Sequence, residues 1–498
     1  MNGEFYNYLP LWATLLPILA TIPLFFIERR SPLFRDLFAI AVSGLTFFTV
    51  AVMYPYIAAH GTIGVSYPQV FPPFGISLQV DLLGYLLALI ASAVWFLATL
   101  YSREYMKHEG GGNRYYPFLL LSLGGCIGVF TASDFFSLFV FFELMSLSAY
   151  VLVVHEETEA AMAAGYKYLI LTLIGGLALF FGIVIAYELA GNVDIRPGHF
   201  LFTEQTRLSF VAFLSFLVGF GMKMGIFPMH VWLPDAHPVA PSPASALLSG
   251  IMLKTGAYGL LRVVFNIYGV DFIREAGWHI ILLVLATITI FLGSAVAIAQ
   301  PDIKRRLAYS SIGQMGYILL GIGLLTVTGL QGGIFHIFSH AIMKSTLFFA
   351  AGAIIYKTGK RQVSEMTGIG YQLPVTLACF SIASFAMIGI PPLNGFISKL
   401  LLSMGSLDAG MPFFVVLLII SSLMNGIYYL PIVINAYFGD KPEEEQMGGW
   451  RRLFSELKPS MLIPICLLAL ACLVFGLFPG NFPLKWAEII ATILMGGG

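Results

Sequence analysis

Apolar runs of about 20 residues recur along almost the whole chain, and this settles the fold class. Each run can carry a helix across a hydrocarbon layer of roughly 30 Å. Backbone polar groups in that layer must be satisfied within the protein, which points to helices. Only 10% of the 498 residues are charged and 58% are hydrophobic, against about 25% charged in soluble proteins. The sequence therefore predicts an all-α polytopic membrane protein. About fourteen spans are expected, near residues 9–27, 37–57, 80–101, 114–131, 134–154, 162–189, 207–233, 241–265, 278–299, 307–327, 331–356, 374–402, 413–437 and 461–478.

The formal net charge is zero, so nothing points to nucleic acid. Cys126, Cys379, Cys466 and Cys472 lie in apolar spans without a CxxC pair and read as small core residues, not as metal ligands. The opening "MNGEFYNYLP" has no basic stretch, so the first span is expected to stay in the mature protein. Residues 58–79 alternate like a strand and contain prolines, which predicts a small external hairpin or cap. The closing "PLKWAEIIATILM" is short for a crossing and is expected at the interface or against a neighbour.

Basic residues orient the spans. Odd-numbered connections hold Arg29, Arg30, Arg35, Arg103, Lys107, Arg114, Lys304, Arg305, Arg306, Lys357, Lys360, Arg361, Lys441, Arg451, Arg452 and Lys458. Even-numbered connections and the tail hold only Arg196, Arg207, Arg262, Arg274 and Lys485. The positive-inside rule then puts both termini outside a plasma membrane.

Lys167, Lys223, Lys254, Lys344 and Lys399 remain, all inside expected spans. A mid-membrane charge costs at least about 2.5–3.5 kcal/mol on insertion scales. A desolvated ammonium gives up its proton readily, whereas a guanidinium stays charged, so buried lysines suit proton handling.

Two spans are broken. "GMKMGIFPMHVW" carries Pro228, and "SFAMIGIPPLNGFISKLLL" carries Pro391 and Pro392. Proline removes helical hydrogen bonds, and paired breaks point to an inverted repeat around an ion path. Lys167 and Lys344 are each followed by glycine eight residues on, Gly175 and Gly352. Spans six and seven thus match eleven and twelve, an odd offset that inverts the second copy. The expected divisions are 1–111 (three spans and the hairpin), 112–270 (first five-helix repeat), 271–440 (inverted repeat) and 441–498 (last span and tail).

Glu143 falls mid-span, and Lys223 is its natural partner. Attraction favours both charged forms while desolvation opposes both, so the pair is either poised for proton exchange or simply structural. His336, His340 and Lys344 are spaced by four and share one helical face, extending roughly 12 Å. They read as a proton wire, with Lys254 linking Lys223 to Lys344 and Lys399 beyond. No HExxH or third ligand suggests a metal there. Lys167, His230, Asp235 and His237 are candidates for proton uptake. The bland alternatives are a snorkelling Lys167 and ordinary interface polarity for the other three.

The run "KMGIFPMHVWLPDAHPVAPSPASALLSGIMLKTGAYGLLR", with "HIFSHAIMKSTLFFAAGAI" and "FFELMSLSAY", resembles the antiporter-like membrane subunits. These occur in respiratory complex I, Mrp-type antiporters, membrane-bound hydrogenases and sulfane reductases, and the wording is most similar to the last two. The resemblance implies fourteen helices, inverted repeats with broken helices seven and twelve, and a polar axis at half-membrane depth. It implies Glu143 with Lys223 as a switching pair, Lys254 as connector, and Lys344 and Lys399 on the exit side.

The expected function is proton translocation in a redox-driven membrane complex. No cofactor is expected in this chain: iron–sulfur clusters and the redox centre would sit on partner subunits. Expected partners are further antiporter-like and redox subunits, the lipid bilayer and protons, with sodium through the complex as a second ion. The alternatives are an Mrp-type sodium/proton antiporter subunit without redox chemistry, and a structural scaffold.

Overall fold

The computed structural model describes residues 5–27, 31–195, 200–438 and 456–496. Arg29, Arg30, Arg196, Lys441, Arg451 and Arg452, which enter the orientation reading, lie outside the described residues.

The chain opens with α1 (Leu9–Leu19), α2 (Thr21–Ile27), α3 (Pro32–Ala51) and the short α4 (Tyr54–His60). The expected hairpin follows as β1 (Ile63–Phe71) and β2 (Phe74–Val80), antiparallel, with Ile63 opposite Val80 and Tyr67 opposite Ile76. Next come α5 (Leu82–Glu109), α6 (Gly112–Thr131), α7 (Phe135–Val153) and α8 (Glu159–Ala190). The seventh span is broken into α9 (Arg207–Met224), a 3-10 turn, and α10 (Leu233–Val239). A π-helical turn joins α11 (Ser242–Leu247) to α12 (Leu253–Arg262), and the run continues to Tyr268. After the short α13 (Val270–Glu275) come α14 (His279–Ala299), α15 (Ile303–Gly323) and α16 (Val327–Thr358). The second break separates α18 (Pro374–Ile388) from α19 (Asn394–Asp408), with the one-turn α17 (Ile369–Gln372) before them. The chain closes with α20 (Phe413–Phe438), α21 (Pro459–Leu477) and α22 (Lys485–Leu494). The tail helix α22 packs on α16 and α5, with Trp486 stacked on Tyr54.

Among the described residues, 11 helical runs are long and apolar enough to cross a membrane. The expected spans 114–131, 307–327 and 374–402 fall on helices outside that set: α6, α15, and the pair α18 and α19. The physical reason is location. α6 and α15 are buried along most of their length, so neither needs a uniformly apolar surface, and the twelfth span is two half-length pieces.

Burial grades the helices. The run Ser242–Tyr268 is buried throughout and Val327–Thr358 along its central part, and they are also the least hydropathic of the 11. α16 is the hub, touching α5, α11, α15, α18, α19, α21 and α22. A helix that never meets lipid can carry polar side chains where a lipid-facing one cannot.

The internal repeat is written in the backbone. Asp134 caps α7 through Ser137 N, and Asp302 caps α15 through Arg305 N. Each aspartate forms an isolated bridge 60 residues further on, Asp134 with Asp194 and Asp302 with Gln362. The flanking hydrogen bonds match: Phe135 N to Val193 O and Ile195 N to Ser133 O, then Ile303 N to Arg361 O and Val363 N to Pro301 O. α8 and α16, enclosed by these bridges, are both 32 residues long. Asp134 and Asp302 are 168 positions apart. The lysine–glycine spacing places Lys167 on Lys344, 177 positions apart, so that sequence register is nine residues out.

The breaks also match. Gly225 and Gly389 both take left-handed backbone, with φ of 71° and 94°. Gly225 N and Ile226 N donate to Gly221 O, and Gly389 N and Ile390 N donate to Phe385 O. Pro228 follows the first break; Pro391 and Pro392 follow the second. A glycine supplies the positive φ without steric cost, and the proline prevents the helix from resuming at once.

Candidate functional site

The buried polar side chains gather into three clusters. The first holds Glu143, Tyr168 and Lys223. Lys223 lies in the last turn of α9, is fully buried, and donates to Tyr168 Oη at 2.8 Å. Tyr168 in turn donates to Ser146 O. Glu143 lies close enough for its charge to act on Lys223, yet no ion pair joins them among the described residues. The hydrogen-bond partner of Lys223 is thus the tyrosine, with the carboxylate further off. Glu143 Oε1, Ser146 Oγ and Thr172 Oγ1 are buried without protein partners, the mark of an interior that takes up water.

The second cluster joins the two enclosed helices. Lys254 Nζ lies 2.7 Å from His340 Nδ1 and donates to Ser249 O at 2.6 Å. The His340 and His336 rings stack at 5.8 Å. His336 Nδ1 lies 2.8 Å from Ser398 Oγ, whose own hydroxyl donates to Gly395 O.

The third cluster surrounds the second break. Lys344 Nζ turns to α15 and α20, donating to Leu307 O, Ser310 Oγ and Tyr429 Oη. Tyr428 donates to Asn425 Oδ1 and lies 3.1 Å from Ser310 Oγ, and Asn425 donates to Met387 O. Lys399 Nζ reaches the same carbonyl at 2.8 Å, with Ile388 O at 2.8 Å and Ser422 Oγ at 3.0 Å. The carbonyls freed by the break are thus held by a lysine. At the first break they are not: Trp232 Nε1 donates to Met222 O, and Phe227 N to Thr289 Oγ1.

Spacing by four makes Lys344 the end of the histidine ladder. In the structure Lys254 occupies that place, and no hydrogen bond joins Lys344 to His340 among the described residues. The ladder meets the third cluster differently. The Tyr317 ring lies edge-on to His336 and beneath Lys399 Nζ, at 5.4 and 5.2 Å. No polar contact joins Lys223 to Lys254 among the described residues, although α12 packs directly on α9. Both ends of the row approach the flanks. Glu143 is partly exposed, and Lys399 lines a cavity of ≈ 330 Å³ together with Phe396, Leu418 and Ser422.

The uptake candidates separate. Lys167, nearly half exposed, pairs with Asp235, which also meets Arg305 at 3.2 Å. This is a surface arrangement at the face opposite the hairpin. His230 lies beside the Phe227 ring. His237 is fully buried on Phe348, both ring nitrogens without protein partners, within electrostatic range of Lys304, Lys344 and Lys254.

Sequence reasoning missed three kinds of residue. Lys304 and Arg262 read as connection charges but are only 3% and 4% exposed. Lys304 donates to Pro238 O and Ala240 O. Tyr168, Tyr317, Tyr428, Tyr429 and Asn425 gave no signal amid many aromatic and polar residues. The available signal was the four-residue recurrence of Lys254, Tyr258, Arg262 and Asn266. Among the described residues no three His, Cys, Asp or Glu side chains converge as a metal would need.

With this geometry in place, likeness to known proteins becomes informative. The family model described as NADH:quinone oxidoreductase/Mrp antiporter, TM, matches residues 132–425, more than half of the chain. The chain belongs to the NADH:quinone oxidoreductase/Mrp antiporter membrane family. A second model, the complex I chain 5 N-terminus, matches residues 73–116. The chain is 33% identical over 489 residues to NADH-quinone oxidoreductase subunit N of Desulforudis audaxviator, covering 95% of this chain and 96% of that one. It is 31% identical to an Na(+)/H(+) antiporter subunit of Alkalihalophilus pseudofirmus, covering 81% and 80%. Among solved structures it is similar to a chain of the archaeal membrane-bound sulfane sulfur reductase, with TM-score 0.87 and 26% identity over 98% of this chain and 97% of that one. The antiporter-like subunit is therefore a polytopic membrane protein whose solved structural neighbours sit in multi-subunit membrane complexes.

Proposed function

We propose that this subunit conducts protons along Glu143, Lys223, Lys254, His340, His336, Lys344 and Lys399, coupled to electron transfer in partner subunits. The observation carrying this reading is the bonding of the buried lysines. Each ammonium rests on neutral acceptors (tyrosine, imidazole, serine or carbonyl oxygen) and not on a carboxylate. Such a lysine can lose its proton without stranding a buried anion. The unpartnered atoms of Glu143, Gln314, Ser345 and Asn394 supply further sites along the row where water can bridge.

In this reading, uptake is from the face opposite the hairpin, past Asp235, Lys167 and His230 to the buried His237. Lys344 and Lys399 release on the other side. The hairpin face and both termini would lie outside the plasma membrane, following the basic residues. The redox chemistry and its iron–sulfur clusters belong to partner subunits. Lys223→Ala is the test: ion movement coupled to turnover should be lost in vesicles holding the assembled complex. Undiminished pumping would reject the assignment.

The 31% identity to an Na(+)/H(+) antiporter subunit favours a second reading, exchange of sodium for protons with no redox partner. Copurification in mild detergent decides. Redox subunits with bound iron and sulfur support the first reading, and antiporter subunits alone support the second.

A further inference from the structure

A second polar file leaves the row at Lys254. Lys254, Tyr258, Arg262 and Asn266 recur every four residues and share one helical face. None is more than 4% exposed. Arg262 Nη2 donates to Tyr258 Oη at 3.1 Å and to Asp81 Oδ1 at 2.6 Å, while Nη1 donates to Asn266 Oδ1 at 3.2 Å. Asp81, one quarter exposed, also caps α5 through Gly84 N.

The file ends at the hairpin face between two surface cavities. One, of ≈ 490 Å³, is lined by Asp81, Tyr54 and Trp486. The other, of ≈ 510 Å³, is lined by Asn266, Asp271 and Glu275. The guanidinium is the barrier between them and Lys254. Its Nε is buried without a protein partner, so the ion pair leaves it one donor short. An arginine cannot relay a proton, because it does not deprotonate. In a low-dielectric interior its charge repels any cation that approaches. Tyr258 Oη is occupied on both sides, donating to Phe130 O and accepting from Arg262. Moving the guanidinium away both removes the repulsion and frees that hydroxyl.

We propose that the Arg262–Asp81 pair is a gate that isolates Lys254 from the hairpin face, and that Tyr258 completes the path when the pair opens. This rests on the reading of Lys254 as a proton carrier. The two residues are positioning residues, and passive leak is the readout that a merely structural ion pair would not move.

The test uses the complete complex in liposomes with a trapped pH dye, under a potassium diffusion potential and without any driving reaction. Arg262→Gln and Asp81→Asn are each expected to raise proton leak roughly ten-fold, the factor for a barrier lowered by about 1.4 kcal/mol. Adding Lys254→Met is expected to return the leak to the wild-type level. Asparagine keeps a capping oxygen at position 81, so Asp81→Asn decides the matter if Arg262→Gln assembles poorly. Wild-type leak in Asp81→Asn overturns the gate, as does excess leak that survives Lys254→Met. Unchanged coupled ion movement in Lys254→Met alone overturns the row itself, a failure distinct from one confined to the gate.

Discussion

Gly176 gives the carboxylate of Glu143 its place. A methyl group there would lie 2.4 Å from Glu143 Oε1 and 2.8 Å from Cδ. The clash falls on the far end of a flexible side chain, so the carboxylate must move while the helices stay packed. Gly176→Ala is therefore expected to assemble at the wild-type level. Coupled proton movement should nevertheless fall several-fold, as it should in Glu143→Gln. Comparing vesicle assays with the amount of assembled complex checks both halves of this expectation. The same reasoning separates Glu143 from Lys223: their charges interact at a distance, with Tyr168 on the lysine, so a small displacement of the carboxylate retunes the lysine without breaking a bond.

At the scale of elements, the two breaks share a backbone design and differ in what holds them. Gly389 adopts φ of 94°, and an added Cβ would sit 2.9 Å from Lys399 Cδ. At Gly225 the nearest contact is Leu233 Cδ1 at 2.8 Å, the end of a side chain that can rotate. Alanine in left-handed backbone costs about 1–2 kcal/mol at either site. Gly389→Ala should also dislodge Lys399 from the carbonyls of Met387 and Ile388. Both variants should lower thermal stability to a similar degree, but only Gly389→Ala should impair coupled ion movement severely. Paired melting curves and vesicle assays resolve the two. The breaks themselves were legible from glycine and isoleucine followed by proline in mid-span, whereas Pro117, Pro431 and Pro464 stand inside continuous helices, and the hairpin was legible from its alternation. The partners were not. Spacing by four puts Lys344 below His340 on one face, but it cannot say that Lys254 of a neighbouring helix fills the gap first. Arg262 and Lys304 were hidden because helix ends are where charges usually meet water. Here both ends are covered, by the hairpin face and by the α10–α11 turn.

For the whole molecule, the decisive question is whether the three clusters act in series. A serial path stops at its first missing carrier. Removing a second carrier then costs nothing more, so the effects are strongly non-additive. Lys223→Ala and Lys344→Ala sit in different clusters, with no shared hydrogen-bond partner. As independent structural contacts, their stability losses would add. As carriers in one row, each alone should abolish most coupled ion movement, and the double variant should match the more damaging single. A scaffold predicts another pattern: assembled complex falls with each substitution and ion movement follows it in proportion. Four preparations, each assayed for assembled complex and for coupled ion movement, distinguish the two. The backbone recurrence gives the serial reading its physical basis. Two like halves each bring one broken span into the interior, and the two helical runs buried at their centres carry Lys254 and His340 into direct contact. A conductor needs such a junction between its halves, whereas a scaffold would be better served by apolar packing there.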